Sequence, residues 1–447
     1  MSCTPKPSSP EPKFYIHTFG CQMNENDSEY IAGLLVGMGF SPSDVPDDAG
    51  VMIVNACSVR AKSEDKLYSL LGRLVALKKK NGALLGVVGC SAQLHRAGIR
   101  KRSPGVDFIA GPDNYHRLAD ILKASLENTC LDVGRAAFWS EPVPRVYLRT
   151  DGVSGLVTVM EGCDNFCSYC VVPFARGREK FRPWGNILAE IRGLAEAGSK
   201  EVQLLGQNVN SYRDPETGRD FAALLSEVCR VSGIEWVRFI TSHPKSFAAE
   251  LARVMAVLSP VCRQLHLPLQ SGSTSVLQRM NRGYTRREYF DLVTMLRQLM
   301  PDLSLSTDII VGFPGETEKD FEETLTALEQ ARFTNIFSFR YSPRPLTAAL
   351  KLGDDVPLAV KKRRLIEAQE LQKKIQIEIN RAAVGRVQKV LCFGRSKKPP
   401  RVFSGRNEAS QVVNFDAPPS RADCVGRFVS VLITGCGPYS LRGELNP

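Results

Sequence analysis

No stretch of this sequence stays apolar over the ~20 residues that a membrane-spanning helix needs, so no helical span is expected. The first residues, MSCTPKPSSPEPK, have neither an apolar centre nor an Arg-rich amphipathic pattern. No secretory or organellar signal is visible there, and a cytoplasmic protein is expected. A disulfide framework is disfavoured too, because the 13 cysteines are odd in number. In a reducing compartment they read as metal ligands or buried thiols. The composition is otherwise ordinary for a globular protein, with 43% apolar and 23% charged residues. A length of 447 residues implies two or three domains, each able to bury a core. The net charge of +11 hints at a polyanionic partner.

The most informative stretch runs from Met160 to Cys170, MEGCDNFCSYC, where Cys163, Cys167 and Cys170 are spaced C-x3-C-x2-C after a β-branched run. An iron–sulfur cube takes four thiolates, one per iron. Three thiolates on one short loop leave one iron corner open to a small-molecule ligand, as a catalytic zinc site keeps one position free. A structural zinc loop is the alternative, but it needs a fourth Cys or His nearby, and the next histidine is His243.

Upstream, three similar units follow one another. Phe14–Phe19 leads to Gly20-Cys21, Val51–Val54 to Asn55-Ala56-Cys57, and Ala83–Val88 to Gly89-Cys90. Each apolar, strand-like run precedes a helical pattern such as Asp27–Met38 or Ser63–Lys79, which predicts a parallel, doubly wound sheet. Ligands of such sheets bind at the carboxyl ends of the strands, where Cys21, Cys57 and Cys90 would sit. One cysteine there would be an ordinary buried thiol. Three at equivalent positions point to a second three-thiolate cluster.

From Gly155 to Pro343, six strand candidates alternate with helical patterns: Gly155–Met160, Glu201–Leu205, Glu235–Thr241, Gln264–Leu269, Leu303–Val311 and Asn335–Tyr341. Six units are too few for a closed eight-stranded barrel, so an open (β/α)6 partial barrel is predicted, with its chemistry at the carboxyl ends of the strands. Those ends carry Gln207 and Asn208, then Ser242-His243-Pro244, Gln270 and Ser271, Asp308 with Gly312–Glu316, and Arg340–Arg344. Such amide, hydroxyl and carboxylate groups can hold an amino acid and a ribose. The competing structural readings are a plain turn at Gly312–Gly315, helix capping by Asn208, and a core histidine at His243.

A helix is expected from Leu358 to Asn380, with Leu365, Leu371, Ile375 and Ile379 along one side. Its Lys361-Lys362-Arg363-Arg364 run reads as a solvated face. Residues 381–447 look all-β, with strands at Val387–Phe393, Arg401–Ser404, Gln411–Phe415 and Phe428–Thr434. This segment holds 11 Lys/Arg against 4 Asp/Glu, a net +7 and most of the chain's excess charge. A small basic β-barrel interspersed with Phe393, Phe403, Phe415 and Tyr439 fits RNA binding, although several of these rings must be core.

Over Phe14 to Leu445 the sequence resembles the radical S-adenosylmethionine (SAM) methylthiotransferases. The resemblance rests on GCQMN at Gly20–Asn24, NACSVR at Asn55–Arg60, GCSAQ at Gly89–Gln93, EGCDNFCSYCVVPFARGRE at Glu161–Glu179 and LLGQNVNSY at Leu204–Tyr212. It extends through TSHP at Thr241–Pro244, HLPLQSGS at His266–Ser273, STDIIVGFPGET at Ser306–Thr317, SGR at Ser404–Arg406, VVNF at Val412–Phe415 and SLRGEL at Ser440–Leu445. It implies an α/β protein with a tail at 1–12, a methylthiotransferase N-terminal domain at 13–130, a linker at 131–150 and a radical-SAM domain at 151–355. A bridging helix at 356–380 and a TRAM RNA-binding domain at 381–447 complete it.

The implied cofactors are SAM and two [4Fe–4S] clusters, one on Cys163, Cys167 and Cys170, the auxiliary one on Cys21, Cys57 and Cys90. Tyr169, the aromatic before the last loop cysteine, joins Gln207, Asn208, Gln270, Ser271 and Asp308 as candidate SAM contacts. The implied substrate is N6-isopentenyladenosine next to the anticodon of tRNA, and the product its 2-methylthio derivative. Implied partners are a tRNA anticodon stem-loop, an electron donor such as flavodoxin or ferredoxin, and a sulfur donor; a monomer away from membranes is expected. Ala56, Ser91 and Leu346 depart from the usual pattern; Leu346 stands where glycine is expected. The remaining cysteines, Cys3, Cys130, Cys229, Cys262, Cys392, Cys424 and Cys436, read as ordinary thiols. Rival readings are a methylthiotransferase acting on threonylcarbamoyladenosine or a ribosomal protein, and a non-catalytic iron–sulfur RNA-binding protein.

Overall fold

The computed structural model describes residues 11–58, 61–139, 147–148, 152–396, 402–417 and 424–446. Cys3, most of the expected tail, much of the expected linker and Arg401 lie outside the described residues. The chain forms two compact units: residues 1–150 with 161–163 and 171–180, and the rest.

The first unit is built on a parallel six-stranded sheet, from the strands β1 (Lys13–Phe19), β2 (Ser41–Pro42), β3 (Val51–Ala56), β4 (Leu84–Val88), β5 (Phe108–Ala110) and β6 (Cys130–Asp132). Its order, β2-β1-β3-β4-β5-β6, is that of a doubly wound fold. The central strand β3, VMIVNA, is buried throughout, as a strand covered on both faces must be. Met52 and Val54 pack with Leu67 and Leu71 of helix α2 (Ala61–Asn81). Their neighbours Val51 and Ile53 point the other way, onto Tyr30, Ile31 and Leu35 of α1 (Gln22–Gly37). Helices α3 (Cys90–Arg102) and α4 (Leu118–Ser125) extend the two layers.

The expected start of α1, Asp27, is five residues late. Gln22–Asn26 break the apolar period, yet Asn24 and Asn26 are fully buried, and Asn24 hydrogen-bonds Asn55 of β3. Strands β2, β5 and β6 are two or three residues long, too short to show a period. Cys130 opens β6, so the sheet extends to Asp132.

The second unit begins with β7 (Ser154–Thr158). The two-residue strands β8 (Met160–Glu161) and β9 (Lys180–Phe181) follow in sequence, and α5 (Val172–Arg176), between them, belongs to the first unit. Next come α6 (Trp184–Glu196), β10 (Glu201–Leu205), α7 (Phe221–Val228), β11 (Trp236–Phe239), α8 (Ala249–Val257) and β12 (Gln264–His266). The series closes with α9 (Thr274–Arg279), α10 (Arg286–Leu299), β13 (Ser304–Val311), α11 (Glu318–Ala331) and β14 (Asn335–Arg340). The six expected strands, β7, β10, β11, β12, β13 and β14, are all present and parallel, with sequential neighbours. They form two three-stranded halves joined by the Val237–Val261 bridge, an open partial barrel.

Helix α12 (Leu358–Arg381) corrects one expectation. Its buried residues are Lys361, Arg364, Ala368, Gln372, Ile375 and Asn380, while Leu365, Leu371 and Ile379 are only partly covered. Half of the basic run is therefore interior, and the solvated-face reading fails for Lys361 and Arg364. Lys361 packs over Gly312, where an added Cβ would lie 2.3 Å from its Cγ, and Arg364 meets Glu316. An apolar-period argument cannot see a cation buried with its carboxylate.

The chain ends in a closed five-stranded barrel of β15 (Val387–Arg395), β16 (Val402–Asn407), β17 (Val412–Asp416), β18 (Phe428–Cys436) and the unexpected β19 (Leu441–Leu445), in the order β15-β16-β17-β19-β18. The buried Arg238 of β11 ties it to the partial barrel: it contacts Glu201 at 2.6 Å and donates to the carbonyls of Asn407 and Glu408.

Candidate functional site

In the first unit, Cys21, Cys57 and Cys90 follow the carboxyl ends of β1, β3 and β4, which are neighbours in the sheet. Glycine sets the approach. Gly20 and Gly89 have φ of +146° and +92°, and an added Cβ would lie 2.8 Å from Cys57 Cβ or 2.4 Å from Asn55 Oδ1. The Asn24–Asn55 amide pair braces these ends from below, and Ser91, one of the departures, bonds the Cys57 carbonyl at 2.9 Å. A hydrogen bond with Cys57 lowers the Cys21 thiol to about 6, against desolvation and helped by Arg176. Cys90 moves the other way, raised by burial. Arg176, itself buried, ion-pairs with Asp27 at 2.5 Å, and its positive charge opposes the rise at Cys90. Lys180 pairs with Asp113 close by.

No three Cys, His, Asp or Glu side chains among the described residues converge tightly enough for a single metal ion. A cube with one thiolate per iron spreads its ligands over separate corners. Thiols on adjacent strand ends of a glycine-opened edge, two of them within the field of the buried Arg176 guanidinium, fit such a group.

Along the Cys163–Cys170 loop, Gly162 has φ +81° and an added Cβ would lie 2.0 Å from Arg178 O, so only glycine can precede Cys163. In the second unit, Ser168 donates from Oγ to Arg279 O at 2.8 Å and from its backbone amide to Met280 O at 2.9 Å, and the Asn281 side-chain amide donates to Phe166 O at 3.1 Å. Arg282 Nη1 lies 3.2 Å from Cys167 Sγ and 3.3 Å from Tyr169 OH. The stretch Met280–Gly283 escaped the sequence reading; Gly283, at φ +70°, was its one visible mark.

The strand-end residues fall into two groups. Thr241 and Gln270 hold left-handed backbone, with φ +70° and +72°, a strain typical of binding edges. Among the described residues, Gln270 Oε1 and Ser242 Oγ are buried polar atoms with no hydrogen-bond partner, free to meet a ligand or water. Asn208 is buried, but its side chain does not cap the following turn, which removes the capping reading. Gln207 is half-buried at the same edge. Asp308 is partly exposed and 3.4 Å from His266 Nε2, whose other ring nitrogen meets Ser306 at 3.0 Å. In the sequence His266 stands only as the first residue of HLPLQSGS; its contact with Asp308 depends on the pairing of β12 with β13.

Other residues are structural. Ser271 is wholly buried and bonded to Thr324 and the Ser273 amide. Gly312–Glu316 form a turn closed by Gly312 N to Glu316 and clamped by Arg279. His243 accepts from Lys245 N, and burial, with Arg282 and Lys245, lowers it to about 2, so it stays neutral.

In the terminal barrel, Phe403 and Phe415 stack in the core and Phe393 lies under Arg406, while Tyr439 is 73% exposed. Arg381, Arg386, Arg395, Arg427 and Arg442 are exposed. Cys392 and Cys424 are buried 3.6 Å apart, and burial beside Cys424 raises Cys392 to about 12, so it is an inert thiol.

Three family profiles match: the Radical SAM superfamily over residues 157–328, the Uncharacterized protein family UPF0004 over 13–111 and the TRAM domain over 381–445. Partial barrel, cysteine loop and these matches together define a radical-SAM enzyme. The tRNA-2-methylthio-N(6)-dimethylallyladenosine synthase of Geobacter metallireducens is 47% identical over 442 residues, covering 97% of this chain and 98% of that one. Its namesake in Geotalea uraniireducens is 46% identical over 443 residues, covering 97% and 99%. This chain belongs to that family of radical-SAM methylthiotransferases, and its cofactors are SAM and [4Fe–4S] clusters. It is thus an enzyme, which sets aside the non-catalytic reading. Among solved structures, the radical-SAM methyltransferase TsrM of Kitasatospora setae, with cobalamin and a [4Fe–4S] cluster bound, matches with TM-score 0.56 at 15% identity, covering 85% of this chain and 77% of that one. That likeness concerns the fold alone.

Proposed function

We propose that this chain converts N6-isopentenyladenosine at position 37 of tRNA, next to the anticodon, into 2-methylthio-N6-isopentenyladenosine. The observation that carries the reading is the second cysteine set, Cys21, Cys57 and Cys90, on adjacent strand ends. A radical-SAM enzyme that only abstracts hydrogen needs one cluster; inserting sulfur needs a place to hold it.

Cys163, Cys167 and Cys170 hold the SAM-binding cluster, and Cys21, Cys57 and Cys90 the auxiliary one. When bound, these groups supply a 5′-deoxyadenosyl radical to take hydrogen from C2 and a methylated sulfur to replace it. The chain's own work is placement. Tyr169, Gln207, Asn208, Gln270 and Asp308 orient SAM, with His266 fixing the Asp308 carboxylate. Ser271, locked against Thr324, shapes the loop beneath Gln270. The exposed arginines and Tyr439 of the terminal barrel grip the tRNA backbone and stack a base. The reaction also draws on an electron donor such as flavodoxin or ferredoxin and on a sulfur donor. The protein acts as a monomer in the cytoplasm.

Nucleoside mass spectrometry of tRNA tests the reading in cells that lack their own methylthiotransferase, with and without this gene. The 2-methylthio product should appear only with the gene. Isopentenyladenosine left unmodified by cluster-loaded protein would move the search to threonylcarbamoyladenosine and ribosomal protein.

A further inference from the structure

Five arginines are buried among the described residues: Arg176, Arg182, Arg238, Arg282 and Arg364. Four of them have a carboxylate within 2.5–2.8 Å, from Asp27, Glu190, Glu201 and Glu316. This is the expected pattern, because a buried guanidinium keeps its proton and costs several kcal/mol unless an anion compensates it. Arg282 is the exception. Its Nε donates to Tyr284 OH at 3.0 Å, its Nη2 to Pro268 O at 3.1 Å, and its Nη1 reaches Cys167 Sγ at 3.2 Å and Tyr169 OH at 3.3 Å. None of these partners is a carboxylate. Among the described residues, the partner that becomes anionic as a cluster ligand is the Cys167 sulfur.

The backbone is shaped to deliver this contact. After α9, Asn281 N bonds Gln278 O and Arg282 N bonds Leu277 O, a Schellman ending with Asn281 left-handed at φ +55°. Gly283 at φ +70° turns the chain again. Asn281 and Arg282 are thereby both aimed at the Cys163–Cys170 loop, one onto Phe166 O and the other onto Cys167.

We propose that Arg282 is the built-in counter-ion of the cluster held by Cys163, Cys167 and Cys170, and that it favours the reduced form of that cluster. This rests on the ligand assignment under Proposed function. Three thiolates on a [4Fe–4S]2+ core carry net −1. One electron from a low-potential donor makes the core [4Fe–4S]+ and the assembly −2. A fixed cation donating N–H···S to one ligand binds the −2 form more strongly than the −1 form, so it raises the reduction potential. Arg282 is a positioning and tuning residue for the electron-accepting step.

The test isolates this cluster in a Cys21→Ala/Cys57→Ala/Cys90→Ala background, reconstituted with iron and sulfide and titrated with dithionite under electron paramagnetic resonance. Arg282→Gln should take up iron like its parent but show a more negative midpoint, with Arg282→Lys in between. An unchanged midpoint in loaded Arg282→Gln overturns the inference. If Arg282→Gln does not load or fold, Arg282→Lys decides: a loaded protein supports the role of charge, and equal damage overturns it. Adding Cys163→Ala, Cys167→Ala and Cys170→Ala must abolish iron binding in the background protein. A cluster that persists there overturns the ligand assignment, and the inference with it, while an unchanged midpoint overturns the counter-ion alone.

Discussion

Arg364 Nη1 lies 2.8 Å from Glu316 Oε1, and both side chains are almost wholly buried. Burial raises the Glu316 carboxyl, while the Gly312 amide and Arg364 oppose that shift. The pair locks α12 onto the turn that follows β13.

Removing one partner should therefore cost more than the pair contributes. Arg364→Met is expected to destabilise the protein by about 3–5 kcal/mol, because Glu316 is left buried and uncompensated. Adding Glu316→Gln should recover part of the loss. Urea unfolding of the two variants measures both effects, and equal stability of single and double variants would refute the coupling.

The two cysteine sets should separate by function. Alanine at Cys21, Cys57 or Cys90 is expected to leave SAM cleavage intact, abolish methylthiolation and lower iron content by about half, since one of two cubes is lost. Alanine at Cys163, Cys167 or Cys170 should abolish 5′-deoxyadenosine formation. Chromatographic assay of both products, beside iron analysis, checks the split. Methylthiolation that persists in the first group would remove the auxiliary role.

Leu346 is a departure whose consequence can be measured. It is 60% exposed and holds φ +69°, a left-handed conformation that costs an ordinary residue about 1–2 kcal/mol. Glycine would relieve this strain at an entropic cost of about 0.5–1 kcal/mol. Leu346→Gly is expected to raise stability slightly, by up to about 1 kcal/mol, in thermal unfolding, whereas an exposed helical leucine changed to glycine would lower it. A clear loss of stability would show that the leucine side chain does more than its exposure suggests.

His243 sets a pH response. Its folded pKa is lowered to about 2, first by desolvation, while the unfolded side chain titrates near 6.5. Between these values the unfolded state binds a proton that the folded state refuses, so stability falls as pH falls below 6.5, by at most about 1.4 kcal/mol per pH unit. His243→Gln should make the melting temperature of the cluster-free protein less sensitive to pH between 6.5 and 5. An unchanged slope would mean that the ring protonates in the folded state.

The frame of the molecule was legible because its signals are local. Strand runs such as Val51–Val54 announce themselves through apolar, mostly β-branched residues, and the cysteine loop through its spacing. The short strands β2, β5 and β6 were not legible, since two or three residues carry no period. The start of α1 was hidden because Asn24 and Asn26 are polar yet buried, and Asn24 is bonded to Asn55, 31 residues away.

By itself the sequence determined the alternating strands of the partial barrel, the C-x3-C-x2-C spacing and the family, because periodicity and spacing are properties of neighbouring residues. Only the tertiary structure decided which polar residues are interior and with whom. Lys361 and Arg364, two members of one basic run, turned inward onto Gly312 and Glu316, while Lys362 and Arg363 stayed outside. Asp308 gained His266 through the pairing of β12 with β13, and Cys167 gained Arg282 from 115 residues downstream. Desolvation makes these pairings: a charge taken out of water must find an opposite charge or a donor, and that partner is fixed by packing in space and not by distance along the chain.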